Sequence, residues 1–245
     1  MDMIRMFVGH DPREAVAFDV FAHSVIARSS APVSFCPLAL PNLSEHYRED
    51  HTDGSNQFIY SRFLVPYLCG YMGWAIFADG DMLCRDDIAK LWRMRDSSKA
   101  VQVVKHNYRT KAPIKYLGAV NEDYPRKNWS SLILFNCGHP ANQRLQPEVV
   151  MGSTGKYLHR FMWLDDDLIG DLPLGWNWLV GEYDMNRWAA LVHYTLGTPC
   201  FEEFRDCDYA DEWYSELRTM LKVPEAAKKW VDYQPKKCKT NSDEV

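Results

Sequence analysis

Asp79 and Asp81 are the residues whose type and spacing most directly suggest chemistry in this sequence. They follow the apolar run 74–78 and are separated by Gly80, and a glycine lets the backbone and a bulky ligand approach closely. Two adjacent carboxylates repel each other, and a divalent cation with oxygen ligands is the simplest way to stabilise such a pair. The pattern indicates a Mg²⁺ or Mn²⁺ site that a diphosphate could complete. The alternative is a turn that caps a helix over 86–92.

The sequence contains two other Asp-x-Asp pairs, Asp165/Asp167 and Asp206/Asp208. Because twenty-one of the 245 residues are Asp, this spacing is weak evidence by itself. The last pair precedes a helical pattern, where solvated acidic residues complement the helix dipole, and we assign it no chemical role. Asp166 completes a run of three acids that suits a functional cluster and a charged surface loop equally well.

The elements that must position these carboxylates follow from hydrophobic patterning. Predicted strands lie at residues 4–9, 33–40, 74–78, 100–105 and 131–135. Predicted helices follow Pro12 and lie at residues 57–70, 142–150, 155–164 and 210–221. Their alternation predicts an α/β fold in which helices flank a mainly parallel sheet. We expect a single domain over 1–232 and a polar tail over 233–245.

Composition excludes several functional classes. The formal net charge is -5 and the basic residues are dispersed, so we expect no nucleic acid partner. No apolar stretch is long enough for a membrane span and the N-terminus lacks a signal-peptide pattern, which predicts a cytoplasmic protein. The seven cysteines show no zinc-site spacing, so we expect reduced thiols.

Four segments occur in an order that is typical of one enzyme family. They are FVGHDPRE at 7–14, YSRF at 60–63, FADGD at 77–81 and VHYTLGTP at 192–199. Together they resemble the glycogenin-like retaining nucleotide-sugar transferases, glycosyltransferase family eight, in a minimal version. That resemblance implies the Rossmann-like GT-A fold, with a nucleoside-binding loop, a helical Arg, a metal-binding D-x-D and a later metal-binding His.

Two further segments resemble the family's donor-sugar site. They are WSSLILFN at 129–136 and DDDLIGDLPLGWN at 165–177. This sequence departs from the family pattern at Trp129, Asp166 and Gly170, and the segment after His193 lacks the usual Lys-Pro-Trp ending.

The resemblance implies a role for each matching residue. The implied metal ligands are Asp79, Asp81 and His193. The implied donor-binding residues are Val8, Gly9, His10, Asp11, Arg62, Asp79, Gly80, Ser130, Ser131 and Gly197. The implied catalytic carboxylate is Asp166, with Asp165 and Asp167 beside it. From the residues alone, Arg62 could equally be a surface arginine on an amphipathic helix, and His193 could be a core histidine.

These observations predict a Mn²⁺- or Mg²⁺-dependent transferase that moves a hexose from a UDP-sugar to a saccharide or other hydroxyl acceptor with retention of configuration. We expect acceptor recognition in the polar loop 42–56 and in the segment 108–129. The alternatives are a metal-dependent phosphohydrolase and a non-enzymatic carbohydrate-binding protein that uses some of the nine Trp as sugar platforms.

Overall fold

Two β-sheets organise the chain in the computed structural model, which describes residues 3–52 and 56–222. The strands are β1 Ile4–Gly9, β2 Val33–Leu38, β3 Trp74–Ala78, β4 Met82–Cys84, β5 Val101–Val103, β6 Leu132–Asn136, β7 Ile169–Asp171, β8 Trp178–Leu179 and β9 Leu191–His193. Six of them form the larger sheet in the order β2-β1-β3-β6-β5-β7, and the smaller sheet has the order β4-β9-β8.

Helices flank the larger sheet. The α-helices are α1 Ala15–Arg28, α2 Leu40–Leu43, α3 Val65–Leu68, α4 Ile88–Trp92, α5 Pro147–Gly152, α6 Gly155–His159 and α7 Ala210–Met220. In the larger sheet β1 is parallel to β2 and β3, β5 is parallel to β7, and β6 is antiparallel to both of its neighbours. The predicted α/β fold with a mainly parallel sheet is confirmed.

Strand β3 lies between two hydrophobic cores. Ala75 and Phe77 pack into one core, whereas Ile76 and Ala78 pack into the other on the opposite face. Successive side chains of a strand point to opposite faces, so a strand that is buried on both faces must be apolar throughout. This explains the uninterrupted apolar run and fixes the position of the carboxylates that follow it.

Three predicted helices are shorter in the structure. The pattern over 57–70 becomes a 3-10 turn, Ser61–Leu64, followed by α3. The pattern over 142–150 is divided by Pro147, which cannot donate a backbone hydrogen bond and opens α5. The pattern over 155–164 ends at His159, because Phe161 adopts a positive φ of 54° that a helix cannot contain.

The smaller sheet was not predicted, since its strands contain only two or three residues each. Such short strands carry no usable alternation and form only by pairing with each other. Strand β4 follows the carboxylates directly and pairs antiparallel with β9, so that Met82 lies opposite His193. This pairing brings together two segments that are more than a hundred residues apart.

The predicted tail over 233–245 lies outside the described residues, and the boundaries of the predicted domain stay a prediction. No helix in the described part of the chain is long and apolar enough to cross a membrane.

Close backbone packing at Gly80 gives a test of this arrangement. A Cβ atom at Gly80 would lie 2.4 Å from the carbonyl oxygen of Gly9, whereas a Cβ at Gly152 would meet nothing within 4 Å. We expect Gly80→Ala to lower the free energy of unfolding by about 1–3 kcal/mol, because backbone atoms must move to accept the methyl group. Gly152→Ala, the matched control, should leave it unchanged or raise it by up to about 1 kcal/mol, because Gly152 lies in α5 and alanine favours a helix. Denaturant unfolding measures both, and equal midpoints would contradict the packing.

Candidate metal centre

Asp79, Asp81 and His193 form a buried cluster. Asp79 and Asp81 follow the last residue of β3, and His193 is the last residue of β9. The backbone amide of Asp79 donates to the carbonyl of Ser131 at 2.9 Å, and the amide of Tyr194 donates to the carbonyl of Asp81 at 2.9 Å. The backbone of each carboxylate residue is therefore fixed to a different neighbouring segment.

The three side chains offer ligand atoms that all lie within 4.8 Å of one another. His193 Nε2 is 3.3 Å from Asp81 Oδ1 and 3.9 Å from Asp79 Oδ2. All three residues are buried, with 7%, 8% and 2% of the surface of Asp79, Asp81 and His193 exposed. The structure thus brings together all three metal ligands that the sequence predicted.

Asn177 determines which nitrogen of His193 faces the carboxylates. Its amide nitrogen donates to Ser131 Oγ at 2.8 Å and to the carbonyl of Asn128 at 3.3 Å. A carbonyl only accepts hydrogen bonds, so the Asn177 oxygen must point the other way, toward His193 Nδ1 at 3.1 Å. Nδ1 then carries the proton in the neutral ring, and the lone pair of Nε2 points into the cluster.

Arg62 supports the cluster electrostatically. Its Nη1 lies 2.8 Å from Asp79 Oδ1 and also donates to the carbonyl of Ser130 at 2.9 Å, while its Nε donates to the carbonyl of Phe58. The guanidinium also lies 4.9 Å from the ring centre of Phe77. Arg62 is only 3% exposed, which excludes the alternative of a surface arginine. These contacts fix the guanidinium, and its ion pair restrains the carboxylate of Asp79.

The two carboxylates are held in a poorly solvated site. Burial raises the pKa of the Asp79 carboxyl to about 6; the charge of Arg62 lowers it, that of Asp81 raises it, and those of His193 and Lys115 lower it further. Asp81 Oδ1 is buried and accepts no hydrogen bond from any described residue. A buried charge of this kind is costly unless it is paired or coordinates a metal.

The donor set of the cluster fits a divalent metal. Asp81 Oδ1 and Nε2 of His193 face each other at 3.3 Å, and with the ring in its neutral form a cation between these two electron-pair donors would bind both. Two carboxylate oxygens and one imidazole nitrogen suit Mg²⁺ or Mn²⁺, with room for oxygen ligands from a substrate. Asp79, Asp81 and His193 are the residues that would hold the ion.

The predicted nucleoside loop lies beside the metal cluster. Val8 and Gly9 end β1, and the carbonyl of Gly9 is the backbone atom that Gly80 approaches. His10 packs edge-on against Phe18, with ring centres 5.5 Å apart. Asp11 is buried and accepts hydrogen bonds from the backbone and side chain of Arg13. These placements put the loop at the same edge of the sheet as the cluster.

Two more predicted donor-binding residues, Ser130 and Ser131, line the cavity beside the cluster, and a third, Gly197, lies in the turn after β9. The carbonyl oxygens of Ser130 and Ser131 accept from Arg62 and from the Asp79 amide, respectively. The Ser130 hydroxyl lies 2.6 Å from His159 Nδ1. Gly197 closes the turn after β9, because its amide donates to the carbonyl of Tyr194 at 2.9 Å. Their roles toward a donor stay predictions.

The three-acid run lies apart from the cluster. Asp165, Asp166 and Asp167 are all exposed, and none of them lines the cavity that contains the metal ligands. Asp166 forms an ion pair with Arg126 at 2.6 Å. Its side chain is 83% exposed, so the pair is a surface interaction. The catalytic role that the resemblance implies for these residues stays a prediction.

A small cavity of about 80 Å³ opens on the cluster and contains residues that the sequence did not single out. Lys115, Tyr124 and His159 line it together with the metal ligands, Arg62, Ser130 and Ser131. Lys115 Nζ lies 3.3 Å from the hydroxyl of Thr195. Burial lowers the pKa of Lys115, while the charges of Asp81 and Asp79 act in the opposite direction. No motif marks these positions in the sequence, since they lie in polar or mixed segments.

The fold places the molecule in a structural class. The chain is similar to a WbbM bifunctional glycosyltransferase, with a TM-score of 0.57 and 15% identity. The match covers 94% of this chain and 51% of that one. It is similar to the galactosyltransferase LgtC over 92% of this chain and 99% of that one, with a TM-score of 0.55 and 14% identity. GlyE of Streptococcus pneumoniae matches over 95% of this chain and 65% of its own, with a TM-score of 0.58 and 11% identity.

These similarities establish the GT-A glycosyltransferase fold that the sequence predicted. The chain spans about half the length of the WbbM protein and 65% of GlyE, whereas it matches nearly all of LgtC. The narrower assignment to the glycogenin-like family stays a prediction.

A curated relative defines the family more closely. The chain is 45% identical over 221 residues to Protein CDI of Arabidopsis thaliana, and the match covers 87% of this chain and 85% of that protein. The chain therefore belongs to the same family as Protein CDI. No protein-family model matches the chain.

The orienting role of Asn177 predicts a measurable effect on metal affinity. We expect Asn177→Ala to weaken Mn²⁺ binding by about 10- to 100-fold, the usual effect of removing the hydrogen-bond partner of a ligating histidine. Asn136→Ala is the matched control, because Asn136 binds the carbonyl of Lys99 at the opposite end of β6. Titration calorimetry with Mn²⁺ measures both variants, and equal affinities would show that Asn177 does not orient a ligand.

Proposed function

We propose that the protein is a metal-dependent glycosyltransferase that moves a hexose from a UDP-sugar to a hydroxyl acceptor with retention of anomeric configuration. One observation carries the proposal. In a GT-A fold, Asp79, Asp81 and His193 converge at the end of β3, with His193 Nε2 and Asp81 Oδ1 only 3.3 Å apart and turned toward each other. Such a donor set fits an ion that would share its remaining positions with a diphosphate.

The chemistry requires stabilisation of a leaving group. A nucleoside diphosphate gains negative charge as its bond to the sugar breaks, and a divalent ion at this site would supply the opposing charge. Arg62 holds Asp79 in position through the 2.8 Å ion pair, and Asn177 directs Nε2 of His193 inward. Lys115 adds a cation to the wall of the same cavity.

The donor would lie along the edge of the sheet where β1 and β3 end. In this proposal Val8, Gly9, His10 and Asp11 contact the nucleoside, because the carbonyl of Gly9 lies directly against the Asp-Gly-Asp turn. Because Gly80 has no side chain, the carbonyl of Gly9 can lie this close to the turn. Ser130 and Ser131, which line the cavity beside the metal cluster, and Gly197, in the turn after β9, complete the proposed donor site.

Retention of configuration is proposed from the resemblance to a retaining family, with Asp166 as the carboxylate that acts on the sugar. Because Asp166 is ion-paired with Arg126 on the surface, this role requires the pair to open when the donor binds. Asp165 and Asp167 are the neighbouring carboxylates proposed to assist it.

A panel of nucleotide sugars tests the proposal. We expect release of free UDP from a UDP-hexose in the presence of Mn²⁺ and an acceptor mixture, with loss of that release in excess chelator. A phosphohydrolase would instead release inorganic phosphate from a phosphomonoester, and a carbohydrate-binding protein would release neither product. Turnover that persists in chelator would contradict the metal dependence.

Variants assign the activity to the site. Asp81→Asn should reduce kcat/KM by about 10²-fold or more, because a metal ligand is lost. Asp86→Asn is the control, since Asp86 is a nearby aspartate that pairs with Lys90 on the surface.

Asp166→Asn should lower kcat and kcat/KM together by about 10²-fold while UDP affinity is kept, as expected for an interaction made mainly in the transition state. An unchanged kcat would remove Asp166 from the mechanism.

A further inference from the structure

A second cavity of about 420 Å³ adjoins the one that contains the metal ligands. The two cavities share wall residues, which are Ile59, Lys115, Ala119, Tyr124 and His159. Neither the metal ligands nor any residue of the proposed nucleoside loop lines the second cavity. It is therefore a separate compartment that opens beside the proposed reaction centre.

The charged residues that line the second cavity are unbalanced. Lys115, Lys127, Lys156 and Arg160 contribute four cations and Glu122 contributes one carboxylate, which leaves a formal charge of +3 on the lining. Although the charges of Asp79 and Asp81 act on Lys115 at longer range, none of the four cations forms an ion pair with a carboxylate among the described residues. Elsewhere the basic side chains commonly do, as in the pairs of Arg62, Arg85, Lys90, Lys105 and Arg126.

Two of these cations have buried nitrogen atoms and form no ion pair among the described residues. Lys127 is 6% exposed, and among the described residues its ammonium donates to the amide oxygen of Asn121 and to the carbonyl of Glu122. Burial and the charge of Lys115 lower the pKa of Lys127 to about 8, while the more distant charges of Asp123 and Glu182 act in the opposite direction. Nε of Arg160 is buried and has no hydrogen-bond partner among the described residues. Buried cations are costly when unpaired, so a ligand that supplied an anionic group would stabilise this arrangement.

Aromatic side chains accompany the cations. Tyr60 and Tyr124 line the same cavity, and tyrosine rings offer apolar surface together with a hydroxyl group. A molecule that bears both an anionic group and a ring with hydroxyls matches this wall better than a simple anion does.

We propose that the second cavity binds the acceptor and that the acceptor is a hydroxylated molecule with a phosphate or carboxylate group. The inference rests on the proposed function, which assigns the donor diphosphate to the metal cluster and the nucleoside to the end of β1. The second cavity is the adjoining space that this arrangement leaves free. Its cations select an anionic acceptor over a neutral one, because a neutral ligand cannot form ion pairs with them.

Direct binding tests the proposal without knowledge of the natural acceptor. Glucose 6-phosphate and glucose serve as probes, and calorimetry measures their affinities for the metal-free protein. We expect glucose 6-phosphate to bind at least tenfold more tightly than glucose, with an affinity that falls as salt rises. Equal affinities for the two probes would overturn the proposal.

Variants locate the binding. Lys156→Gln and Arg160→Gln should each weaken glucose 6-phosphate binding by about tenfold, which is the size of one charge-assisted hydrogen bond. Lys156 is exposed, so its replacement leaves the packed core unchanged. Lys90→Gln is the control, because Lys90 lies on α4 and lines neither cavity. Binding by both cavity variants at wild-type strength would overturn the proposal.

A competition experiment separates the acceptor from the donor and this inference from the proposed function. UDP with Mn²⁺ should bind to wild type, Lys156→Gln and Arg160→Gln equally and should leave bound glucose 6-phosphate in place. Displacement of glucose 6-phosphate by UDP with Mn²⁺ would assign the cations to the donor and overturn the acceptor proposal. A wild-type protein that binds glucose 6-phosphate but not UDP with Mn²⁺ would contradict the proposed glycosyltransferase function instead.

Discussion

Two buried carboxylates at the end of one strand impose the constraint on which the surrounding structure depends. Asp79 and Asp81 are each less than a tenth exposed, and their charges repel each other in a poorly solvated site. Arg62 offsets one of them at 2.8 Å, and His193 approaches the other with a lone pair. The fold thus places the Arg62 guanidinium and the His193 imidazole beside the two carboxylates, although the surroundings of the site are mainly apolar core.

Segments from across the chain meet at this constraint, and each is held by a specific contact. The β4–β9 pairing places His193, and the amide of Asn177 fixes its ring through Ser131 and Asn128. Ser131 also contacts the cluster directly, because its backbone carbonyl accepts the hydrogen bond from the amide of Asp79. The metal cluster and the proposed donor-sugar segment are therefore connected by hydrogen bonds. A substitution in one of them is expected to shift the positions of side chains in the other.

Much of this arrangement was predictable from sequence, and the remainder has physical reasons for being hidden. The strand over 74–78 was predicted with its observed bounds, because burial on both faces leaves an unbroken apolar run. The β4–β9 pairing was not, since three-residue strands carry no pattern. The contact of Arg62 with Asp79 was not predicted, because it depends on how the 3-10 turn that carries Arg62 packs against the end of β3. The position of Lys127 was not predictable either, because its burial in the wall of a cavity follows from the fold and no motif marks it.

The central claim is that Asp79, Asp81 and His193 form one metal site that a nucleotide diphosphate completes. Anomalous diffraction at the manganese edge from crystals grown with Mn²⁺ and UDP tests it most directly. The account predicts a single strong peak at bonding distance from a carboxylate oxygen of each aspartate and from Nε2 of His193, with UDP phosphate oxygens as further ligands. A peak at another acidic cluster, such as Asp165 to Asp167, with none between Asp81 and His193, would contradict it.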